Sequence, residues 1–275
     1  MSAVPSIITI EDANARLAGL VTYWTCHGEV RRELLQDAFT AAGLPADALP
    51  AMPRPATLLA RAVKDLEERH RLVRHLGDGR YAIVQEHTEE ARYTTLATID
   101  IEGDGWAINP HDSVLYDQMA EHVARQRSVL QATDISGWLV DSAVTRQAVA
   151  LRASGGVYFL PRGNLDAWRK LTTALGAAQA ATVFAIPAVR SDDAVEAVLA
   201  ALKDDVEAAV AITRGDLSDV GPRALKTRRK QAEALAEKVA HYEQVLDAAQ
   251  PSLRASIAQL QAEVSAAILL AEQDA

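Results

Sequence analysis

Two apolar repeats near the end of the chain constrain its fold more than any other feature. In both, apolar residues recur at alternating intervals of three and four, the a/d pattern of helices that pack along a seam. The first arm carries Ala232, Leu235, Val239, Tyr242, Leu246 and Ala249, and the second carries Leu253, Ile257, Leu260, Val264, Ala267 and Ala271. Pro251 interrupts the pattern and Ser252 can cap the second arm. The sequence therefore predicts an antiparallel, coiled-coil-like helical hairpin over residues 221–275.

The seam of this hairpin predicts an interface. We expect the protein to form a homo-oligomer, or to bind a partner protein, through the hairpin. The alternative is that both arms simply cover the sheet domain. The residues expected to carry oligomerisation are Leu235, Val239, Tyr242, Leu246, Ile257, Leu260 and Val264.

The composition is that of a globular protein. Of the 275 residues, 49 % are hydrophobic and 24 % are charged, which is enough for a sizeable core and unlike a disordered segment. Cys26 is the only cysteine, so an intramolecular disulfide and a cysteine-rich zinc site are excluded.

No apolar run approaches the roughly 20 residues of a membrane span. Residues 1–10 have neither a basic start nor a long apolar segment. We expect a cytoplasmic protein without membrane association.

The charge distribution argues against a uniformly basic coat for nucleic acid. Lys and Arg number 28 against 37 Asp and Glu, which gives a net charge of −9. Residues 87–150 hold four basic and ten acidic residues, and residues 231–275 hold two and seven. Between these acidic regions, five cations fall within residues 223–230.

This basic run is expected to form the first turns of the hairpin's first arm. Cations at a helix N-terminus oppose the macrodipole, so their presence indicates a use such as binding phosphate or an acidic surface. The alternative is that Asp216 and Asp219 neutralise the run. The candidate nucleic-acid-binding residues are Lys226, Arg228, Arg229 and Lys230.

The first 87 residues predict three helices followed by a β-hairpin. Apolar residues at helical spacing indicate helices over residues 11–22, 29–42 and 56–69. Two short runs of strand character, residues 71–76 and 80–84, flank Gly77-Asp78-Gly79, a turn whose residues tolerate positive φ. This order resembles that of the winged helix-turn-helix family, with the third helix at Pro55–Leu66 and the wing at Arg71–Val84.

The resemblance implies contact with DNA, because in that family the helix before the hairpin enters the major groove and the hairpin touches the backbone. At the matching positions, the residues expected to reach DNA are Arg54, just before the helix, and Thr57, Arg61 and Lys64 on it, while Arg74 and Arg80 lie on the wing. Two alternatives stay open. These charges can merely solvate an exposed face, and winged helices also serve as protein-binding modules.

Residues 88–220 predict a small α/β domain with a mixed sheet and helices on one face. Strands are expected over residues 93–101, 106–108, 157–160 and 181–187. Helices are expected over residues 113–130, 135–151, 165–175 and 192–213. Asp134 and Asn164 are natural caps for the second and third of these helices.

Three segments of the chain are similar to an uncharacterised protein family of bacteriophages and bacteria. They are Gly155–Pro161 (GGVYFLP), Lys226–Arg229 (KTRR) and Glu237–Leu246 (EKVAHYEQVL). The likeness covers most of the chain. It implies a phage or mobile-element context and brings no catalytic residues.

The sequence contains no pattern typical of a catalytic or metal site. A Walker A loop, a Gly-x-Gly-x-x-Gly loop and a Gly-x-Ser-x-Gly elbow are all lacking, and no two histidines have zincin spacing. The turn at Arg162–Asn164 could hold an anion, but helix capping is the more ordinary interpretation. Catalysis by Cys26 with His27 or His75 stays open, because partners can be distant in sequence. We expect no metal and no cofactor.

Together these features predict an α+β protein with three modules. They are a winged-helix-like module (1–87), a small α/β domain (88–220) and a helical hairpin (221–275). The leading hypothesis is a non-enzymatic nucleic-acid-binding or regulatory protein that binds DNA or RNA and assembles through the hairpin. The first alternative is a structural or protein-interaction subunit of a phage or defence assembly that does not bind nucleic acid. The second alternative is an enzyme with a dispersed site in the α/β domain.

Overall fold

The computed structural model describes residues 17–87, 92–152, 155–215 and 222–273. Within these ranges the chain is α+β, as predicted. The strands are β1 Leu17–Cys26, β2 Val30–Arg31, β3 Arg71–Gly77, β4 Arg80–His87, β5 Arg92–Glu102, β6 Gly105–Asn109, β7 Val129–Leu130, β8 Val149–Ala150, β9 Tyr158–Pro161 and β10 Ala181–Val189. The helices are α1 Arg32–Ala41, α2 Pro55–Lys64, α3 Ser113–Gln126, α4 Ala132–Thr145, α5 Leu165–Ala177, α6 Asp192–Gly215, α7 Pro222–Leu246 and α8 Pro251–Gln273.

The chain divides into two compact units, each built from separate stretches of sequence. The meander unit comprises Cys26–Trp138 and Thr173–Thr182. The bundle unit comprises the described residues within Met1–Thr25, Leu139–Thr172 and Val183–Ala275. The division into three modules stays a prediction.

The bundle unit contains the predicted hairpin. Helices α7 and α8 begin at Pro222 and Pro251 and pack together. Helix α6 joins them in a core that also receives Phe159 of β9. The sheet of this unit has the strand order β10-β1-β9-β8. The pairings of β9 with β1 and with β8 are antiparallel, whereas a mixed sheet was expected.

The first predicted helix is wrong over its described part, because Leu17–Cys26 is strand β1. Residues 11–16 of that prediction lie outside the described residues. The run from Val21 to Thr25 is β-branched or aromatic, and such side chains fit a pleated surface better than a helix. Gly19 permits the close approach of β9, since a Cβ there would lie 2.2 Å from the Leu160 carbonyl oxygen.

The meander unit is built around a four-stranded antiparallel sheet, β3-β4-β5-β6, with α2 and α3 packed on one face. Alternation along the strands places Ile83, Ile99 and Ile108 in the core with Leu59 and Met119. The turn at Gly77–Gly79 has positive φ at all three residues, as predicted.

The element order of a winged helix is not reproduced in the described residues. Two α-helices, α1 and α2, precede the hairpin of β3 and β4. That hairpin is not a free wing, because β4 pairs with β5 from Arg80↔Asp100 to His87↔Arg92. The boundary predicted at residue 87 therefore falls between two neighbouring strands of one sheet.

Of the two predicted caps, Asn164 directly precedes α5, as expected, whereas Asp134 does not precede its helix. Asp134 lies inside α4 rather than before it. Asn164 donates through Nδ2 to the Arg146 carbonyl at 2.8 Å. The predicted helix 135–151 ends at Thr145, because Gln147 adopts φ 62° and the chain then enters β8. The predicted helices 165–175 and 192–213 are confirmed as α5 and α6.

Candidate functional site

A groove of about 410 Å³ lies between α2 and the edge strand β3 of the meander unit. Thr57, Ala60, Arg61, Lys64 and Glu67 line one wall, and Val73, His75 and Tyr81 line the other. We call it the α2 groove. It gathers three residues that the sequence singled out for nucleic-acid binding, Thr57, Arg61 and Lys64.

Helical periodicity explains why these three residues share a wall. The buried face of α2 consists of Leu58, Leu59, Ala62 and Val63. Residues at i, i+4 and i+7 lie on one side of a helix, so Thr57, Arg61 and Lys64 form a stripe beside that buried face. The sequence spacing alone is sufficient to predict this stripe.

The opposite wall presents two rings from neighbouring strands. His75 and Tyr81 are directly opposite each other in the β3–β4 ladder. Their ring centroids are 4.9 Å apart, with an angle of 46° between the planes. His75 is exposed, and Tyr81 is half-buried against the core of the unit. Tyr81 was not among the predicted site residues. It could have been found by pairing the two predicted strands across the turn at Gly77–Gly79, which places Tyr81 opposite His75.

Arg61 is held by Asp134. Its Nη1 and Nη2 atoms donate to the two carboxylate oxygens of Asp134 at 2.7 and 2.8 Å. Burial alone would raise the pKa of Asp134, but hydrogen bonds from Arg61 and from the Gln131 backbone N–H outweigh it and lower that pKa. The hydrogen bond to Asp134 is also the main reason that the pKa of Arg61 is raised. The positive charge of Arg61 is therefore already paired with Asp134 where the side chain lines the groove.

Lys64 supplies the second charge of the groove. Its side chain is exposed and forms no ion pair with any residue in the described ranges. Glu67, one turn beyond, accepts the Val73 backbone N–H through Oε1 at 3.3 Å. Arg54 and Thr57 are exposed at the start of α2. The exposed cations along this side are therefore Lys64 of the stripe and Arg54, the residue before α2, which lies outside the groove.

The two predicted wing residues lie outside the groove. Arg74 pairs with Ala82 in the ladder, so it points to the sheet face opposite His75. Arg80 donates through Nε to Asp100 at 2.6 Å on β5. The structure thus separates Arg74 and Arg80 from Thr57, Arg61 and Lys64.

The basic run lies on the first turns of α7 in the bundle unit, as predicted. Lys226 and Lys230 are exposed. Arg229 reaches Glu233 at 3.5 Å, and half-buried Arg228 donates to Gln231 at 3.0 Å. Asp216 and Asp219, the residues expected to neutralise the run, lie outside the described residues.

A second cleft, of about 520 Å³, lies beside this run. Its walls include Ile212 of α6 and Arg228, Leu235 and Lys238 of α7. Lys238 donates to Asp205 at 2.8 Å and to the Ala148 carbonyl at 3.0 Å. Lys238 was not predicted, because its partners come from two distant segments.

The residues predicted for oligomerisation lie in the interior of the bundle unit. Six of them, Val239, Tyr242, Leu246, Ile257, Leu260 and Val264, are buried in its core, and Leu235 is half-buried. Helix α6 contributes Val206 and Val210 to the same core, so the seam is covered from within the chain. Self-association through this seam stays a prediction, and burial favours the alternative that the arms cover the rest of their own unit.

Other chemical groups are dispersed. Cys26 is half-buried, and burial raises the pKa of its thiol. His27 contacts Thr182, with Nε2 and Oγ1 2.7 Å apart. The described ranges contain no group of three His, Cys, Asp or Glu side chains placed to hold a metal ion.

None of the helices in the described part of the chain combines the length and the apolar character that a membrane crossing requires.

Comparison with known proteins gives one match. The model of a family of unknown function, DUF6744, matches residues 17–274, which is nearly the whole chain. No curated protein matches the sequence. No solved structure matches it.

Proposed function

We propose that this chain, which belongs to the DUF6744 family of unknown function, binds nucleic acid along the α2 groove. The observation that carries the proposal is the placement of Thr57, Arg61 and Lys64 on one wall of a concave surface. Side chains with hydroxyl, guanidinium or ammonium groups commonly contact the phosphate oxygens of nucleic acids. Because the surface is concave, several of these side chains can contact the backbone of one nucleic-acid strand.

The stripe is long enough to follow a nucleic-acid backbone. Arg54 and Lys64 are ten residues apart, which on a helix is about 15 Å along the axis. Arg61 lies between them, and its planar fork is oriented by Asp134. Because Asp134 already pairs with Arg61, the charge available to phosphates comes mainly from the exposed side chains of Arg54 and Lys64.

The basic run on α7 supports the same function from the bundle unit. Lys226 and Lys230 are exposed there. The net charge of −9 confines phosphate binding to such local surfaces, because the acidic regions repel a polyanion. A cytoplasmic location is part of this proposal, since that compartment supplies the ligand.

The test is fluorescence anisotropy with labelled single-stranded and duplex oligonucleotides over a salt series. We expect the wild-type protein to bind at low salt and to lose affinity steeply as salt rises. Replacing both exposed cations, Arg54→Gln with Lys64→Gln, should weaken binding and make the salt slope shallower by about 1 for each phosphate that is no longer bound. Lys170→Gln, an exposed change on α5, is the matched control and should leave affinity unchanged.

Two outcomes would overturn the proposal. The first is that the wild-type protein binds neither oligonucleotide at low salt. The second is that the double variant, with its melting temperature intact, binds as tightly as the wild type.

A protein-interaction subunit, as in a phage or defence assembly, is a second candidate that one specific observation favours. From Val183 to Val189, β10 contains no charged residue and lies at the edge of its sheet. Phe184 and Ile186 are 42 % and 53 % exposed, and the Phe184 ring stacks on Tyr23 at 4.8 Å. Exposed apolar edge strands pair with other chains. If this candidate is right, Ile186→Lys will shift the sedimentation of any larger species to that of a single chain.

A further inference from the structure

The cation stripe of α2 faces a second wall of protein. Arg61 and Lys64 look across the α2 groove at Val73 and His75 of β3. A helix that reads duplex DNA inserts into a major groove about 12 Å wide, which a helix with its side chains nearly fills. The face of the helix that is inserted must therefore have no other protein segment beside it on either side. Strand β3 occupies one side, which opposes entry of this face of α2 into a duplex.

The other wall suits an unpaired base. In the groove, His75 and Tyr81 present adjacent rings 4.9 Å apart. Aromatic side chains bind nucleic acids by stacking on bases, and every base has a flat face to offer. In a duplex these faces are covered by neighbouring base pairs, so only a single strand can turn a base onto a protein ring.

The size of the groove agrees with this ligand. A volume of about 410 Å³ is near the lower end of the range for small-molecule sites, which run from about 300 to 1,000 Å³. A groove of this volume has room for a base and the phosphate next to it. Glu67 also lines the groove, so phosphates are expected beside Arg61 and Lys64 rather than beside this carboxylate.

We infer that the α2 groove binds single-stranded nucleic acid, with one base stacked on the ring of either His75 or Tyr81 and the backbone along Thr57, Arg61 and Lys64. The inference rests on the proposed nucleic-acid function and adds the class of ligand. DNA and RNA share the base and the phosphate that this geometry recognises, so either can supply the strand.

The test compares affinities of the full chain for oligo-dT, oligo-U and a mixed-sequence duplex at one low salt concentration. We expect both single strands to bind more tightly than the duplex. Tyr81→Leu keeps an apolar side chain against the core and removes the ring, and we expect it to weaken single-strand binding about tenfold. His75→Ala, at an exposed position, should weaken it in the same direction without affecting folding.

Tyr116→Leu is the matched control. Tyr116 is an exposed tyrosine of the same unit, on α3 and outside the groove. Its replacement should leave the affinity for oligo-dT unchanged. The difference between oligo-dT and oligo-U identifies which of the two nucleic acids is preferred.

The inference fails if the duplex binds as tightly as the single strands. It also fails if His75→Ala and Tyr81→Leu, both folded by circular dichroism, bind oligo-dT like the wild type. Either result leaves a wild-type protein that binds nucleic acid, so the proposed function survives. Failure of the wild-type protein to bind any of the three probes removes the proposed function and this inference together.

Discussion

Arg61 and Asp134 are 73 residues apart in sequence and form an ion pair with two hydrogen bonds, at 2.7 and 2.8 Å. Their side chains are only 20 % and 16 % exposed. Asp134 lies in the first turn of α4, and its carboxylate also accepts the Gln131 backbone N–H at 2.9 Å. The pair has two effects. It fastens α2 to the start of α4, and it neutralises a cation that the sequence assigns to nucleic-acid binding.

Asp134→Asn should separate these two effects. Loss of the carboxylate leaves Arg61 unneutralised in the α2 groove, so affinity for a single strand should rise and its salt slope should steepen by about 0.7. Stability should fall by about 1.5–3 kcal/mol, the usual contribution of hydrogen bonds to charged groups. Anisotropy over a salt series and thermal melting measure the two changes.

Asp100→Asn is the control for that experiment. It frees Arg80, which lies outside the groove, in the same way. We expect no gain in affinity from it. An equal gain from both variants would show that net charge, rather than the position of Arg61, determines binding.

Glu243 should make stability depend on pH. Arg254 donates to its carboxylate through Nε at 2.8 Å, and the Gln250 backbone N–H donates at 2.6 Å. The hydrogen bond from Arg254 is the main reason that the pKa of Glu243 is lowered in the folded state. A lowered pKa adds stability above the unfolded value of about 4.3, and that stability is lost as pH falls through the folded value.

Melting temperatures of the wild type and Glu243→Gln between neutral and acidic pH test this. The variant should melt lower at neutral pH, and the difference should shrink as Glu243 is protonated in the wild type. Glu237→Gln, an exposed change on the same helix, should show no such convergence. A difference that stays constant at every pH contradicts the assignment.

Tyr242→Phe should weaken the bundle unit through a single hydroxyl. This tyrosine is fully buried, and its hydroxyl donates to the Gln147 carbonyl at 2.8 Å. Burial raises the pKa of Tyr242, so the hydroxyl stays a donor at any physiological pH. Removing it leaves a carbonyl short of a partner, and we expect a loss of about 1–2 kcal/mol in urea unfolding. If the wild type and Tyr242→Phe are equally stable, the hydrogen bond from Tyr242 to the Gln147 carbonyl contributes nothing to the free energy of unfolding.

The seam residues provide a prediction that separates folding from assembly. Val239→Asp places a carboxylate in the bundle core and should prevent folding. Leu235→Asp affects a half-buried position beside the cleft and should leave the protein folded with an unchanged mass. Circular dichroism and light scattering distinguish the two variants. A smaller mass for folded Leu235→Asp would support association through this face of the hairpin.

Gly19→Ala should be costly because two strands meet there. A Cβ at this position would lie 2.2 Å from the Leu160 carbonyl oxygen and 2.7 Å from the Phe159 ring. The strands must shift to admit it, which we expect to cost about 1–3 kcal/mol. Gly137→Ala is the matched control, because nothing lies within 4 Å of a Cβ there. In the middle of α4 it should instead stabilise the protein by up to about 1 kcal/mol.

Local patterns were sufficient for much of the fold. The second heptad arm, Leu253 to Ala271, begins and ends within two residues of the bounds of α8, and Gly77–Gly79 forms the turn that its residues favour. The first arm lies, up to Leu246, in the C-terminal part of α7, which begins ten residues earlier. Local spacing was misleading at Leu17–Cys26. Apolar spacing there fits a helix, but pairing with β9 and burial of Thr22 select a strand.

The candidate site was predicted in part for the same reason. The stripe Thr57, Arg61 and Lys64 follows from helical spacing within α2. The second wall, with His75 and Tyr81, depends on how β3 and β4 pack against that helix. Asp134 was predicted as a cap, and nothing in its neighbours indicates an arginine 73 residues away.

The sequence by itself determined the local elements: two heptad arms, a charged stripe on one helix and a glycine turn between two strands. Each of these depends on residues within a few positions of one another, so helical periodicity and the turn preferences of single residues are sufficient to predict them. Only the tertiary structure decided that α6 covers the hairpin seam, that Asp134 neutralises Arg61 and that a wall of strands faces the cations. Those outcomes depend on contacts between distant segments, whose free energies come from burial and pairing that no local pattern contains.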